Sequence, residues 1–243
     1  MPVYCITGSN RGIGLEFVRQ LAQNPDNTLL VGVRSLSSDL NDLEAVTSKN
    51  PSAHILELDV SSEDSIKAFV KFAEDILQAK NKKIDYLLNS AGVNIASTHN
   101  SLNLVSENVH AQIAINVLGP AQLTASLLKA GLLSNDVRVL NMTSGLGSAQ
   151  LSIDNKSNQC AGYSISKAGL NMLSIHQAHD LRAHLPGVVV GLMDPGWVKT
   201  RLGGSEALVE PKHSVEGMLS ILHGLKDEDN GSFFHYDGKR VPW

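Results

Sequence analysis

The sequence predicts an α/β domain in which a mainly parallel sheet of about seven strands is covered by helices on both faces. Short apolar runs alternate along the chain with segments in which apolar residues recur at helical spacing. A glycine-rich turn separates the first apolar run from the first helical segment. A length of 243 residues allows one large α/β domain or two small ones, and we expect residues 1–243 to form a single domain because strands and helices alternate along the whole chain.

Seven short apolar runs predict the strands. Helical segments separate them, which favours buried parallel strands over hairpins. The last run is predicted to lie at an edge of the sheet. The strands are predicted at residues 3–6, 29–33, 54–58, 84–88, 137–142, 188–193 and 231–236.

Helical periodicity between these runs predicts six helices. Pro120 lies inside the fourth of them, so we expect a kink there and release of the backbone carbonyl of Asn116, four residues earlier. The helices are predicted at residues 15–22, 36–50, 63–80, 107–130, 161–183 and 214–225.

The glycine-rich turn, residues 7–14 (TGSNRGIG), has the context of a nucleotide-binding turn, between a strand and a helix. Gly8 permits a tight turn, Gly12 lets a pyrophosphate approach the backbone, and Gly14 lets the helix pack closely on the strand. Backbone N–H groups at the helix start would bind phosphate oxygens. The alternative is a plain connection between strand and helix.

Two arginines near this turn predict which nucleotide binds. Arg34 closes the second strand, 20 residues after Gly14, where an acidic residue would bind the ribose 2′-hydroxyl of NAD. Arg11 lies inside the turn. Two cations favour a 2′-phosphate, so the sequence predicts NADP(H) over NAD(H). Alternatively, Arg34 is an exposed residue at the end of a strand.

Small and polar residues follow the next two strands. Asp59 and Val60 follow the third strand; the aspartate could accept a hydrogen bond from an adenine amino group or cap the next helix. Asn89, Ala91 and Gly92 follow the fourth strand, where small residues let a flat ligand lie against the backbone.

Tyr163 and Lys167 stand four residues apart in a predicted helix, which places phenol and ammonium on one face. The lysine would favour the phenolate and lower the pKa of Tyr163, a candidate general acid or base. A solvated surface pair is the alternative. Ser144 precedes Tyr163 by 19 residues, and Asn116 is either a satisfied buried amide or a functional group.

In chain order, these motifs resemble the short-chain dehydrogenase/reductase family over nearly the whole chain. The resemblance implies a Rossmann-type doubly wound sheet. Ser90 departs from the family, which usually has Asn there. The matching elements are Thr7-Gly8-x-x-x-Gly12-Ile13-Gly14, Asp59, Asn89-x-Ala91-Gly92, Asn116, Ser144, Tyr163-x-x-x-Lys167 and Pro195-Gly196.

The resemblance assigns roles to these residues. Tyr163 would donate the proton to a carbonyl oxygen in reduction, or accept it in oxidation, and Lys167 would lower its pKa and bind the nicotinamide ribose. Ser144 would hydrogen-bond the reacting oxygen, and Asn116 would hold a water that links Lys167 to solvent. The implied cofactor contacts are Gly8, Asn10, Arg11, Gly12, Ile13, Arg34, Asp59, Val60, Asn89, Ala91, Gly92, Tyr163, Lys167, Pro195, Gly196, Val198 and Thr200.

The C-terminal third is similar to the sniffer and C-factor-type carbonyl reductases, through residues 194–200 (DPGWVKT) and the terminal Pro242-Trp243. Those proteins usually have His before Pro-Gly, and here Asp194 stands there. Residues 200–212 have few periodic apolar residues and are predicted to be a mobile lid over the substrate.

The sequence therefore predicts NADPH-dependent reduction of an aldehyde or ketone, or the reverse oxidation of an alcohol. The alternative is an NADP(H)-binding signalling or developmental protein of the C-factor type with little or no turnover. Ser144 is not in a G-x-S-x-G motif, which argues against a hydrolase. No metal site is predicted, because His176, His179 and Asp180 lack further ligands nearby.

Composition excludes several other classes. The net charge is −4 and no lysine- or arginine-rich block is present, so nucleic acid is not an expected partner. We expect no secretory signal and no membrane-spanning run, and two cysteines, Cys5 and Cys160, that stay reduced in a cytoplasmic protein. The long apolar helices predict a homodimer or homotetramer.

Overall fold

A computed structural model describes residues 1–156 and 159–243. Seven strands form one sheet in the order β3-β2-β1-β4-β5-β6-β7, and every neighbouring pair is parallel. The predicted fold class is confirmed, and β7 lies at an edge as expected. The strands are β1 Val3–Ile6, β2 Thr28–Val33, β3 Ala53–Glu57, β4 Ile84–Asn89, β5 Leu133–Met142, β6 Val189–Asp194 and β7 Ser232–His235.

Helices connect these strands and cover both faces of the sheet. One of them, α6, was not predicted, because it is short and has no buried face; only its cap, Ser148, marks it in the sequence. Helix α2 is shorter than predicted, since residues 35–38 form a turn and residues 39–40 are not helical. The helices described are α1 Gly12–Leu21, α2 Asn41–Thr47, α3 Glu63–Ala79, α4 Ser106–Ile113, α5 Gly119–Lys129, α6 Ala149–Asn155, α7 Ala161–Asp180 and α8 Pro211–Gly224.

The core lies in two layers, one on each face of the sheet. Along β1, Tyr4 and Ile6 point into the layer covered by α1, α2 and α8. Val3 and Cys5 point into the layer covered by α3, α5 and α7. This alternation is the period of two expected of a strand whose faces are both buried.

Pro120 interrupts the long fourth helix, as the sequence predicts. Between α4 and α5 lies a π-helical turn, Ala114–Leu118, in which the backbone N–H of Gly119 reaches back to the carbonyl of Ala114. Pro120 has no N–H to donate to the carbonyl of Asn116, so the regular hydrogen-bond pattern cannot continue there.

The same run, Ser106–Lys129, is long and apolar enough by length and composition to cross a membrane, contrary to the expectation that no such run exists. In the fold it packs beside α3, with Leu123 and Leu127 buried in the second core layer. A helix packed into a protein core passes the same test of length and composition.

The strand order reverses between β1 and β4, which are neighbours in the sheet although β2 and β3 intervene in the chain. Loops leave this point in opposite directions, and a crevice forms at the carboxyl ends of the strands. The glycine turn follows β1 and residues 89–92 follow β4. The predicted ligand-binding residues are therefore brought to one edge of the sheet.

Candidate active site

The glycine turn is held tight by backbone contacts. Gly8 and Gly12 have φ angles of +69° and +55°, in the left-handed region that favours glycine. A Cβ on Gly8 would lie 2.8 Å from the Cα of Ala91, and one on Gly14 would lie 2.2 Å from the carbonyl oxygen of Gly8. Positions 8 and 14 therefore have room only for glycine, and the turn forms a tight cradle that suits the approach of a phosphate to the backbone.

We expect Gly8→Ala to lower the free energy of unfolding by about 3 kcal/mol, since strain at positive φ is joined by overpacking against Ala91. Gly131→Ala is the matched control, because Gly131 has the same φ of +69° and nothing within 4 Å of its Cβ position. It should cost only about 1 kcal/mol. Urea denaturation measures both, and equal losses would refute the packing argument.

Three arginines gather beside the glycine turn. Burial and the charges of Arg201 and Arg34 lower the pKa of Arg11. That Arg201 belongs to this cluster was not predicted from the sequence. It follows Thr200, whose methyl group lies 3.3 Å from the Cβ position of Gly12, so the loop after β6 folds back onto the turn. The cluster offers positive charge for a phosphate-rich ligand.

The third strand ends in a capped turn. An oxygen of Asp59 accepts hydrogen bonds from the backbone N–H of Ser61, at 2.9 Å, and from its hydroxyl, at 2.6 Å. Ser62, not Asp59, caps α3. Val60 is buried and packs against Gly119. A contact from Asp59 to adenine therefore stays a prediction.

Asn89 belongs to a buried polar network that the sequence did not reveal. Its amide donates to Asn141 at 2.8 Å, and the amide of Asn141 donates to Ser174 and Gln177, each at 2.8 Å. The network joins β4, β5 and α7. The Asn89 Nδ2 donates to this network, while its Oδ1 is buried without a partner among the described residues, so a cofactor contact from this residue would come from its backbone or its Oδ1. The signal available in the sequence was a polar residue, Asn141, within an apolar run.

Tyr163 and Lys167 share one buried face of α7, as their spacing predicts. The Lys167 Nζ lies 5.6 Å from the centroid of the Tyr163 ring and donates to the carbonyl of Met142 at 2.7 Å. The two side chains are 8% and 3% exposed, respectively, so the alternative of a solvated surface pair is wrong.

The pKa of Tyr163 moves in the direction opposite to the prediction. Burial raises it, the Asp194 carboxylate raises it further, and a hydrogen bond with Ser144 lowers it. Burial also lowers the pKa of Lys167 to about 7. The lysine is therefore only partly charged near neutral pH, and desolvation of the phenol outweighs the expected attraction.

This lysine makes the stability of the fold depend on pH. The unfolded chain holds the Lys167 proton up to the ordinary pKa of 10.5, whereas the folded chain releases it at about 7. The unfolded chain thus binds more protons in that window, so the contribution of Lys167 to stability rises with pH across it and is lost as pH falls.

We expect Lys167→Met to raise the free energy of unfolding at neutral pH by about 2 kcal/mol and to flatten its pH dependence up to about pH 10. Urea denaturation at neutral and mildly alkaline pH measures this. Lys129→Met, at an exposed position at the end of α5, is the control. It should change neither the free energy of unfolding at neutral pH nor its pH dependence. An unchanged slope for Lys167→Met would contradict the buried-charge argument.

Asn116 lies in the π-helical turn and is a satisfied buried amide. Its Oδ1 accepts from the N–H of Val93, and its Nδ2 donates to the carbonyl of Val93 and to the Ser166 hydroxyl, each at 2.9 Å. A Cβ on Gly92 would lie 3.3 Å from the Asn116 Oδ1 and 3.6 Å from the Lys167 Nζ. The side-chain amide of Asn116 is thus occupied, so its backbone carbonyl, which Pro120 leaves without the N–H partner of a regular α-helix, is the group suited to hold the predicted water.

Ser144 follows β5 and begins a short 3-10 turn, Gly145–Gly147, in which its hydroxyl accepts the N–H of Leu146 at 3.2 Å. The turn packs against α7: a Cβ on Gly147 would lie 2.9 Å from the backbone of Lys167. This packing brings Ser144, Tyr163 and Lys167 to one place at the carboxyl end of the sheet.

The loop after β6 closes the other side of the site. The carbonyl of Pro195 accepts the Ser214 hydroxyl at 2.7 Å. Gly196 has a φ of +75°, and a Cβ there would lie 2.8 Å from the Tyr236 ring. Val198, which is buried, bridges to Val209 across the base of the predicted lid. Residues 211 and 212 belong to α8, so the predicted lid can extend no further than residue 210.

Comparison with known proteins places this geometry in context. The family model described as short chain dehydrogenase matches residues 2–208. C-signal of Myxococcus xanthus is 38% identical over 162 residues, which are 66% of this chain and 93% of that protein. Short-chain dehydrogenase anuI of Penicillium roqueforti is 32% identical over 93% of this chain and 89% of its own.

Two solved structures of carbonyl reductases are similar to this chain over its full length. The NADPH-bound carbonyl reductase from chicken fatty liver has a TM-score of 0.91 and 30% identity, covering 100% of both chains. The carbonyl reductase Sniffer of D. melanogaster has a TM-score of 0.88 and 27% identity, also covering 100% of both chains.

Proposed function

The chain belongs to the short chain dehydrogenase family, and from this premise we propose that it is an NADPH-dependent oxidoreductase. Its reaction is the reduction of an aldehyde or ketone to an alcohol, or the reverse. The observation that carries the proposal is the meeting of Ser144, Tyr163 and Lys167 beside the glycine turn. The similarity to NADPH-bound carbonyl reductase supports it.

The residues present suit a bound NADP(H). The glycine cradle would receive the pyrophosphate, and Arg11, Arg34 and Arg201 would face the 2′-phosphate. Lys167 would bind the nicotinamide ribose. When bound, the cofactor supplies the hydride.

The protein supplies the proton and the polar contacts. The Tyr163 hydroxyl donates its proton to the substrate oxygen, and its raised pKa keeps that proton in place until the oxygen gains charge. The Ser144 hydroxyl hydrogen-bonds the same oxygen and stabilises the developing charge. The low pKa of Lys167 lets it pass a proton toward Tyr163 near neutral pH.

We also propose that residues 200–210 close over the substrate. The base of this loop is anchored, because the Trp197 indole donates to the Gly203 carbonyl at 2.7 Å and Lys199 pairs with Glu210 at 2.6 Å. Leu202 and Leu208 are exposed on the loop and could cover an apolar substrate.

The second candidate function is signalling by an NADP(H)-binding protein with little turnover. The 38% identity to C-signal favours it. The complete set of Ser144, Tyr163 and Lys167 favours the enzyme, since binding alone does not require a proton donor.

The experiment that separates the two candidates incubates the purified protein with NADPH and a panel of aldehydes and ketones. Loss of NADPH absorbance and the appearance of the alcohol by mass spectrometry would support the enzyme. Tight binding of NADPH without consumption across the panel would refute the proposed reaction and favour signalling.

A further inference from the structure

Asp194, the last residue of β6, joins two loops of the site. Its Oδ1 accepts the backbone N–H of Gly196 at 3.1 Å. The backbone N–H of Gly145 faces the same carboxylate and lowers its pKa, and the Cβ position of Gly145 lies 3.0 Å from the Asp194 Oδ2. One side chain therefore holds the turn that begins at Ser144 against the turn that begins at Pro195.

Charged and titratable groups face this carboxylate from two elements. His235 lies opposite Asp194 in the β6–β7 pairing, and its Nδ1 contacts Asp237 at 2.8 Å. From α7, the Tyr163 hydroxyl interacts with the negative charge of Asp194, which raises the pKa of the tyrosine. Burial and Asp237 raise the pKa of Asp194, while its two N–H contacts and His235 lower it.

We propose that Asp194 is a positioning residue that fixes Ser144 relative to Tyr163 and sets the electrostatic field at the Tyr163 hydroxyl. The inference rests on the proposed function, in which Ser144 and Tyr163 must meet the same substrate oxygen. Asp194 acts on Ser144 through the next residue, Gly145, against which its carboxylate packs. A carboxylate can accept N–H groups on two oxygens, which neutral histidine, with one acceptor nitrogen, cannot do.

The field has a defined sign. A negative charge near Tyr163 disfavours the phenolate, so the tyrosine keeps its proton to higher pH than it would beside a neutral residue. The phenol is protonated near neutral pH with or without this charge, so the effect of Asp194 is to make Tyr163 a weaker acid that releases its proton only as the substrate oxygen gains negative charge. Removing the charge of Asp194 should therefore move the ionisation of Tyr163 to lower pH.

The test uses Asp194→Asn, Asp194→Ala and, as a control, Asp237→Asn. The control removes a charge from the same end of the sheet, but Asp237 is not among the groups that shift the pKa of Tyr163. The absorbance of tyrosinate is measured against pH in the wild type and in each variant, and again in the same proteins carrying Tyr163→Phe. The difference between each pair of curves is the ionisation of Tyr163. This readout requires neither cofactor nor turnover.

We expect the Tyr163 ionisation to move to lower pH in both Asp194 variants and not in Asp237→Asn. We also expect kcat to fall about tenfold in Asp194→Ala, and less in Asp194→Asn, which keeps one acceptor oxygen. An unchanged Tyr163 titration in Asp194→Asn would overturn the inference. If the wild type shows no turnover, the proposed function fails, while the titration still decides the role of Asp194.

Discussion

Tyr163→Phe should lower kcat for carbonyl reduction by about 10³-fold, in the range that a positioned general acid contributes. The ring is buried and phenylalanine has nearly the same shape, so only the hydroxyl is lost. The glycine turn and the arginine cluster are untouched. We therefore expect the dissociation constant for NADPH, followed by cofactor fluorescence, to stay within about threefold of the wild-type value.

Tyr236→Phe is the control for this prediction. Its ring packs against Gly196 at the same end of the sheet, but it lies outside α7. It should leave kcat nearly unchanged. If Tyr163→Phe kept most of its turnover, another group would have to be the proton donor, and the assignment of Tyr163 would fall.

Arg34→Asp should weaken NADPH binding by about 100-fold and leave NADH binding nearly unchanged. The substitution removes a charge-assisted contact to the 2′-phosphate and adds a repulsive carboxylate, together worth about 3 kcal/mol. An acidic residue after the second strand is also the arrangement that accepts the 2′-hydroxyl of NAD. Fluorescence titration with both cofactors measures the preference.

Lys49→Asp makes the same change of charge at an exposed lysine just after α2, and Lys49 is not among the groups that shift the pKa of Arg11. It should alter neither affinity. A preference for NADPH that survives in Arg34→Asp would show that Arg34 is only an exposed residue at a strand end, the alternative that its sequence position left open.

The sheet and most of its helices could be predicted because their signals are local. Apolar runs predicted the seven strands, helical periodicity predicted most of the helices, and Pro120 predicted the break in the long helix. Helix α6 was not predicted because none of its residues is buried, and helical periodicity in a sequence arises from a buried face.

The site was predicted in its residue types and less well in its electrostatics. The spacing of Tyr163 and Lys167 indicated a shared face, but it carried no information on burial, which sets the sign of both pKa shifts. The approach of Arg201 to Arg11 and the packing of Asp194 against Gly145 depend on how the loops fold back, and no local sequence pattern predicts that.

The most direct test of the account is a single turnover with NADPH that carries deuterium at the transferable position of its nicotinamide ring. The protein is mixed with this cofactor and an aldehyde that it consumes, and the products are weighed by mass spectrometry. We predict an alcohol with one deuterium on the former carbonyl carbon, formed about 10³-fold more slowly by Tyr163→Phe. Bound cofactor that keeps all its deuterium, with no labelled alcohol, would contradict hydride transfer by this protein.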